Sequence, residues 1–437
     1  GPLEIQYPQF LADLVMGFRR EIEDARASPL MALRVVVFVA AHGHGLVGDV
    51  GNPKQSRIHR FLGGGKQGFE FLDFIGNPGH AFAQLGGVAA GFHYLSYCLA
   101  GCVALIAKLF NLGQKVAPFF IGFKEPFEIG PFTITPYLMD HSSPDAFAFL
   151  VEAGDVRVLY SGDFRAHGRK TSCFEGFVHN PPFDVDLLLM EGTMLERSGV
   201  DDLPDEQAVE ERIVEVLTNQ RNASFIICSS QNIDRLVSAF RACRRTGRIL
   251  VVDLYTAWVL EQMKLVSERV PNMFWDDVRV YIPNNQYQVV HDNPEYFKDF
   301  SGDAFEAEQR IKMEELEGSP EAFLQVIRLS GVRTIERYLG EEPVNIIYSQ
   351  WLGYINDKDR ATYGTELLNE LRNDPRVNFL YAHTSGHAFL DDLKRFAEAV
   401  SPKALVPIHT EHKKEFERHF NNVIVLEDEQ EFIIGHE

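Results

Sequence analysis

From residue 118 onward the chain alternates short apolar runs with longer amphipathic stretches. "FEIGPFTITPYLM" (127–139) alternates apolar with polar positions and is rich in β-branched residues, which predicts strands. "DAFAFLVEAGDVRVLYSGDF" (145–164) holds two such runs joined by "AGD", a turn signal, and predicts a hairpin. "VDLLLMEGT" (185–193) is continuously apolar, the pattern of a strand covered on both faces. An acidic helix (205–220), a buried strand "SFIICSS" (224–230), a helix and another buried strand "RILVVDLY" (248–255) follow. That rhythm predicts parallel strands with helical crossovers, hence an α/β class. Residues 300–342 read as charged and helical. "VNIIYSQWLGYI" (344–355) restores a buried strand, and "VNFLYAHTSGH", a helix and "ALVPIHTEH" close the pattern.

Residues 10–117 behave differently. They are rich in glycine and aromatics and follow neither the helical nor the strand period.

Composition narrows the class. At 437 residues the chain has room for two domains, or for one domain with a large insertion. Its apolar share of 45% and charged share of 24% are those of a soluble globular protein. A net charge of −20 argues against a general nucleic-acid coat or an anionic-membrane binder. It leaves room for an enzyme with a local basic groove, for which "FRACRRTGR" (240–248) is the candidate. Five scattered cysteines without a C-x-x-C pair fit reduced thiols and a cytoplasmic location. The apolar stretch 94–110 is short for a membrane span, and no leader peptide is expected from the start of the chain.

Four junctions carry the candidate chemistry. His141 in "MDHSS" and Asp163 in "YSGDF" each follow a strand; His387 in "SGH" precedes a helix, and His409 in "PIH" ends a strand. Singly, each has a bland reading as a turn, cap or loop residue. Together they place groups able to bind metal or move protons at the ends of rigid elements. His383 is a candidate supporting residue. Ser229, Ser230 and Gln231 either donate to substrate phosphates or cap the helix that follows.

These motifs, with "DLLLMEGT", "HTSGHA", "PKALVPIHTEH", "SSQNIDR" and "DLYTAWVLE", resemble the metallo-β-lactamase superfamily, and within it the β-CASP nucleases of the ribonuclease J kind. The resemblance implies an αββα sandwich over 1–205 and 345–437, with an α/β cap inserted over 206–344 and substrate in the cleft between them. It implies zinc, two ions for the family, roughly 3.5–4 Å apart, that activate water against an RNA phosphodiester. By position, His141 and His409 would be metal ligands and Asp163 a carboxylate bridging the ions. Glu191 would orient His387, the general acid. RNA, as single strands or ends threaded under the cap, is the implied partner. A homodimer is compatible with the sequence, and no membrane contact is expected.

The family's H-x-H-x-D-H run has its nearest match in "AHGHGLVGDV", where His42 and His44 are present but Leu46 and Val47 stand in place of Asp and His. Three readings stay open. One zinc could be held by His42, His44, His141 and Asp163; the chain could be a metal-deficient relative; or 10–117 could be read in a shifted frame. A hydrolase of a small ester or thioester is the rival enzyme.

Overall fold

The computed structural model describes residues 124–427, except 130, 144–145, 197–202, 220–221, 265–266, 293, 307 and 358–363, and also 430, 432 and 434. The glycine-rich segment, with His42 and His44, lies outside the described residues.

A six-stranded mixed sheet runs β1 (Phe127–Ile129), β2 (Phe132–Met139), β3 (Ala146–Ala153), β4 (Val156–Tyr160), β5 (Leu187–Glu191), β13 (Ala404–Ile408). The first four strands form an antiparallel meander, and the "AGD" turn joins β3 to β4 with Gly154 at φ 60°. β5 is parallel to β4, and β13 is parallel to β5. β2, β4, β5 and β13 therefore all point the same way. Their carboxyl ends share one edge of the sheet, which is where the candidate residues fall.

The helices Thr171–His179 and Leu390–Val400 cover this sheet. Phe164 stacks on Phe396 at 4.6 Å and Phe177 on Phe396 at 4.7 Å, forming an aromatic plug. β5 is buried along its whole length, as its unbroken apolar run requires.

A second sheet has seven strands, all parallel, in the order β12 (Val377–Tyr381), β11 (Val344–Tyr348), β6 (Ser224–Ile227), β10 (Phe323–Ile327), β7 (Ile249–Asp253), β8 (Val278–Tyr281), β9 (Arg310–Ile311). Helices 206–219, 233–246 and 254–263 bury one face, through Val209, Ile213, Leu236, Phe240 and Leu260. The turns of 329–338 and the helix 365–372 bury the other, through Val332, Ile335, Leu368 and Leu371. The caps are local: the Asn232 side chain accepts from Arg235 N, Asp253 accepts from Thr256 N, and Gly247 ends its helix at φ 70°.

Two points differ from the sequence reading. Residues 300–342 are not simply helical, because "FLQVI" forms β10 at the middle of the parallel sheet. Four apolar residues and a glutamine between charged flanks gave too short a run to stand out. Second, β11 and β12 pair with β6 and its neighbours, so strand pairing in the second sheet runs on past residue 345. Among the described residues, no helix is long and apolar enough to cross a membrane.

Candidate metal centre

The edge where β2, β4, β5 and β13 end collects His141, Asp163, Glu191 and His409. Each is set there by local structure. Ser161 N donates to Leu189 O, and the Ser161 hydroxyl accepts from Glu191 N, which ties the "SGD" turn to β5. Gly162 sits at φ 59°, and a Cβ there would lie 2.4 Å from Phe147 O, so the turn that presents Asp163 needs glycine. His409 leaves β13 at φ 49°, an uncommon backbone state for a residue with a side chain. Thr193 holds it there. The Thr193 hydroxyl donates to His409 O at 3.1 Å and lies 2.7 Å from His409 Nδ1, so Nδ1–H is the donor to the hydroxyl.

His387 arrives from the other sheet, on the loop that follows β12. Ser385 accepts from His387 N at 3.0 Å and shapes that loop. The His387 Nδ1 lies 3.2 and 3.1 Å from the two oxygens of Glu191. Glu191 is fully buried, and it also accepts from Phe164 N at 3.0 Å and Thr193 N at 3.2 Å. With both oxygens occupied, it orients the imidazole and fixes Nδ1–H as its donor. Asp163, Glu191, His387 and His409 each bring one ligand atom within 4.8 Å of the others. The His409 Nδ1 is 3.3 Å from the Asp163 carboxylate.

His141 stands beside this group, its ring 5.6 Å from that of His387. Its Nδ1–H donates to Gly386 O at 2.6 Å, the outer contact that orients a metal-ligating imidazole. A Cβ at Gly386 would lie 3.3 Å from the His141 ring, close enough to press on it. Burial, then the neighbouring His387, lowers the His141 pKa to about 4, so the ring is neutral near pH 7, the form in which imidazole binds a metal. Carboxylate and neutral imidazole, the donor types gathered at this edge, are those that a divalent ion of the zinc kind takes.

Sequence reasoning missed the buried charge network behind these residues. Arg165 has no exposed surface. It donates to Asp234 at 2.5 Å, to Glu206 at 3.3 Å and to Ser385 O at 2.9 Å, and lies 3.9 Å from Asp140. Arg235, equally buried, donates to Glu206 at 3.0 Å and to Ser349 O at 2.7 Å. Burial opposes ionisation of Glu206, but Arg235 and Arg165 win and hold its pKa at about 2. Burial raises Asp140 to about 6 despite Arg165 and Lys170. The network joins the two sheets and grips the loop that carries His387. Its signals were "DFRAHG" and "NIDR", whose charges sit among apolar residues.

His383 packs beside Arg235, its Nδ1 3.4 Å from the guanidinium, and burial lowers its pKa to about 3. Asn232 caps the helix after "SSQ", while Ser230 bonds Thr256. The arginines of 240–248 are engaged elsewhere: Arg241 and Arg245 pair with Glu210, Arg244 with Asp277, and Arg248 is buried. Arg241, Arg244 and Arg245 lie in the second half of the 14-residue helix that carries Arg235 near its start.

Residues 376–426 match a family model described as RMMBL, the Zn-dependent metallo-hydrolase RNA specificity domain. Ribonuclease J of Sinorhizobium meliloti is 23% identical over 300 residues, covering 65% of this chain and 47% of that protein. Ribonuclease J of Mycobacterium tuberculosis is 28% identical over 141 residues, covering 31% of this chain and 25% of that one. The chain is ribonuclease J-like. It spans about half the length of the first of these relatives and a quarter of the second. The fold is shared with the crystal structure of a protein of unknown function from Enterococcus faecalis, with a TM-score of 0.60 at 17% identity, over 80% of this chain and 76% of that one. The match to the RMMBL model over 376–426 takes in both His387 and His409.

Proposed function

We propose that this chain is a zinc-dependent hydrolase of RNA phosphodiester bonds, with a metallo-β-lactamase sandwich and an inserted β-CASP cap. The convergence of Asp163, Glu191, His387 and His409 within 4.8 Å, from four separate segments, carries this reading. The sandwich would be built on the six-stranded sheet. The cap would correspond to the parallel sheet, with its end near 382, because β11 and β12 pair within it.

Asp163, His409 and His141 would hold the metal, and His42 and His44 would add to it. When bound, zinc supplies a Lewis acid that polarises a phosphoryl oxygen and activates water. The chain's own residues do the rest. Glu191 holds His387 through Nδ1, so Nε2 is the atom that delivers a proton to the leaving oxygen. The buried carboxylate stabilises the ring when it is charged. Asp140, Arg165 and Arg235 keep the two sheets in register, so that His387 meets residues of the other sheet. An acidic chain whose 240–248 arginines are paired with acids gives the small-ester reading its support.

The test is metal quantification of the purified chain, with an assay on labelled single-stranded RNA. Bound zinc with chelator-sensitive RNA cleavage is expected. Bound zinc with cleavage of esters only would transfer the chain to the small-molecule reading. Protein that takes up no metal would make it a scaffold.

A further inference from the structure

All seven strands of the parallel sheet end on one edge, and ligands of such sheets bind outside the carboxyl ends where the strand order reverses. Here the chain moves from β6 outward to β7, β8 and β9, returns to β10 beside β6, then crosses to β11 and β12. The reversal lies at β6 and β10. At that point stands Arg328, directly after β10, with its guanidinium 4.9 Å above the ring of Tyr255.

The pair is built. Tyr255 is partly buried against the core, and its hydroxyl accepts from Gln231 Nε2 at 3.2 Å. Its N–H donates to Gln286 Oε1 at 3.1 Å. One edge of the guanidinium donates to Asp253 at 2.9 Å, and Gln286 donates to the same carboxylate oxygen at 2.6 Å. The Arg328 Nε is buried without a hydrogen-bond partner among the described residues, yet the side chain is 39% exposed. A guanidinium set over an aromatic ring and held at one nitrogen by a carboxylate, yet more than a third exposed, is positioned and still accessible. Asp253, at the end of the neighbouring strand β7, is the carboxylate that Arg328 meets, while the segments 228–232 and 328–333 after β6 and β10 contain none. From β10 to β12, whose following loop carries His387, is three strand spacings, about 14 Å.

We propose that Arg328, supported by Tyr255, is a stacking platform for a base of single-stranded RNA, a few nucleotides from the bond cleaved. This rests on the nuclease reading and adds a substrate subsite to it. Bases stack on guanidinium planes and aromatic rings alike, and the planar group must be preorganised to gain from it. Charge alone would not need the Tyr255 ring beneath.

Binding of a labelled, hydrolysis-resistant phosphorothioate RNA to the full chain, followed by fluorescence anisotropy, tests this. Arg328→Met and Tyr255→Leu should each raise Kd by about 5- to 100-fold. Arg328→Lys, which keeps the charge and loses the plane, should weaken binding as Arg328→Met does. Melting curves of the variants confirm that they are folded. If Arg328→Lys binds like the original chain, the group acts as charge only and the platform is wrong. Unchanged affinity in folded Arg328→Met and Tyr255→Leu overturns the subsite while RNA binding itself stands. An unaltered chain that binds no RNA overturns the nuclease reading instead.

Discussion

Replacing Arg165 with methionine removes one cation from a closed network and should cost about 3 kcal/mol of stability. Breaking a buried ion pair by deleting one partner generally costs about 3–5 kcal/mol, because the other charge is left without compensation. The neighbours here decide where in that range the variant falls. Glu206 keeps Arg235 at 3.0 Å, and Asp234 keeps Lys170 at 2.8 Å, so neither is abandoned. Asp140 is more exposed to the loss, since its remaining cation, Lys170, is 4.0 Å away. It can answer by taking a proton, because burial already raises its pKa to about 6. That relief places the loss at the low end. Urea unfolding followed by fluorescence should show a midpoint lower by about 1 M if the slope is near 3 kcal/mol per M. Adding Asp140→Asn should recover part of the loss, since the orphaned carboxylate is then gone. A midpoint within about 0.3 M of the original, with the same slope, would refute the claim that this network joins the sheets.

Three further outcomes are expected. His387→Ala should lower turnover by about 10²- to 10⁴-fold with metal content near the original, whereas Asp163→Ala should lose metal measured by atomic absorption. His387→Ala losing its metal as well would show that the imidazole is a ligand. Gly162→Ala forces a Cβ against Phe147 O at a positive φ, and should lower stability by at least about 1–3 kcal/mol and reduce metal uptake with it. Acid should weaken the fold before it protonates ordinary carboxylates. Burial holds His167 near 4 and His383 near 3, both below the ordinary value of 6.5. Their contribution is therefore full above pH 6.5 and is lost as pH falls toward 4. Asp140, raised to about 6, works in the opposite direction over part of that window, because the folded state takes its proton first. His141, also lowered to about 4 by burial, adds to them, and three histidines against one aspartate leave a net loss on the order of 4 kcal/mol between pH 7 and 5. Melting temperatures that stay level or rise over that interval would contradict the assignment.

The strands of the candidate site were legible because each has a single period. The alternation of 132–139 and the solid apolar run of 187–191 appear in the structure as strands with those burial patterns. Meeting points were legible only in part. His141, Asp163 and His409 follow strands, and the parallel arrangement of β2, β4, β5 and β13 brings those ends to one edge. No pattern along the chain announces Thr193 as the partner of His409, since one hydroxyl after a glycine resembles any turn. Arg165 and Arg235 were invisible for a different reason. A buried arginine and a solvated one look alike in sequence, and only contacts 29 to 220 positions away distinguish them. β10 was hidden by its charged flanks, although it occupies the middle of the sheet.

The arrangement of donors bears on what kind of ion the site suits. A structural zinc is enclosed by four protein ligands, while a catalytic one keeps a position open. Glu191 belongs to the cluster by distance, but its oxygens already accept from Phe164 N, Thr193 N and the His387 ring. Drawing it onto a metal would leave buried N–H groups without acceptors, at about 1–3 kcal/mol each. His387 is likewise committed through Nδ1 to that carboxylate. Asp163 and His409 then remain as the donors that an ion could take from that cluster, with His141 beside it. The same reasoning explains why Glu191 is fully buried while Asp163 is 31% exposed. The first has an internal partner to hold in place, and the second must face the substrate's side of the sheet edge.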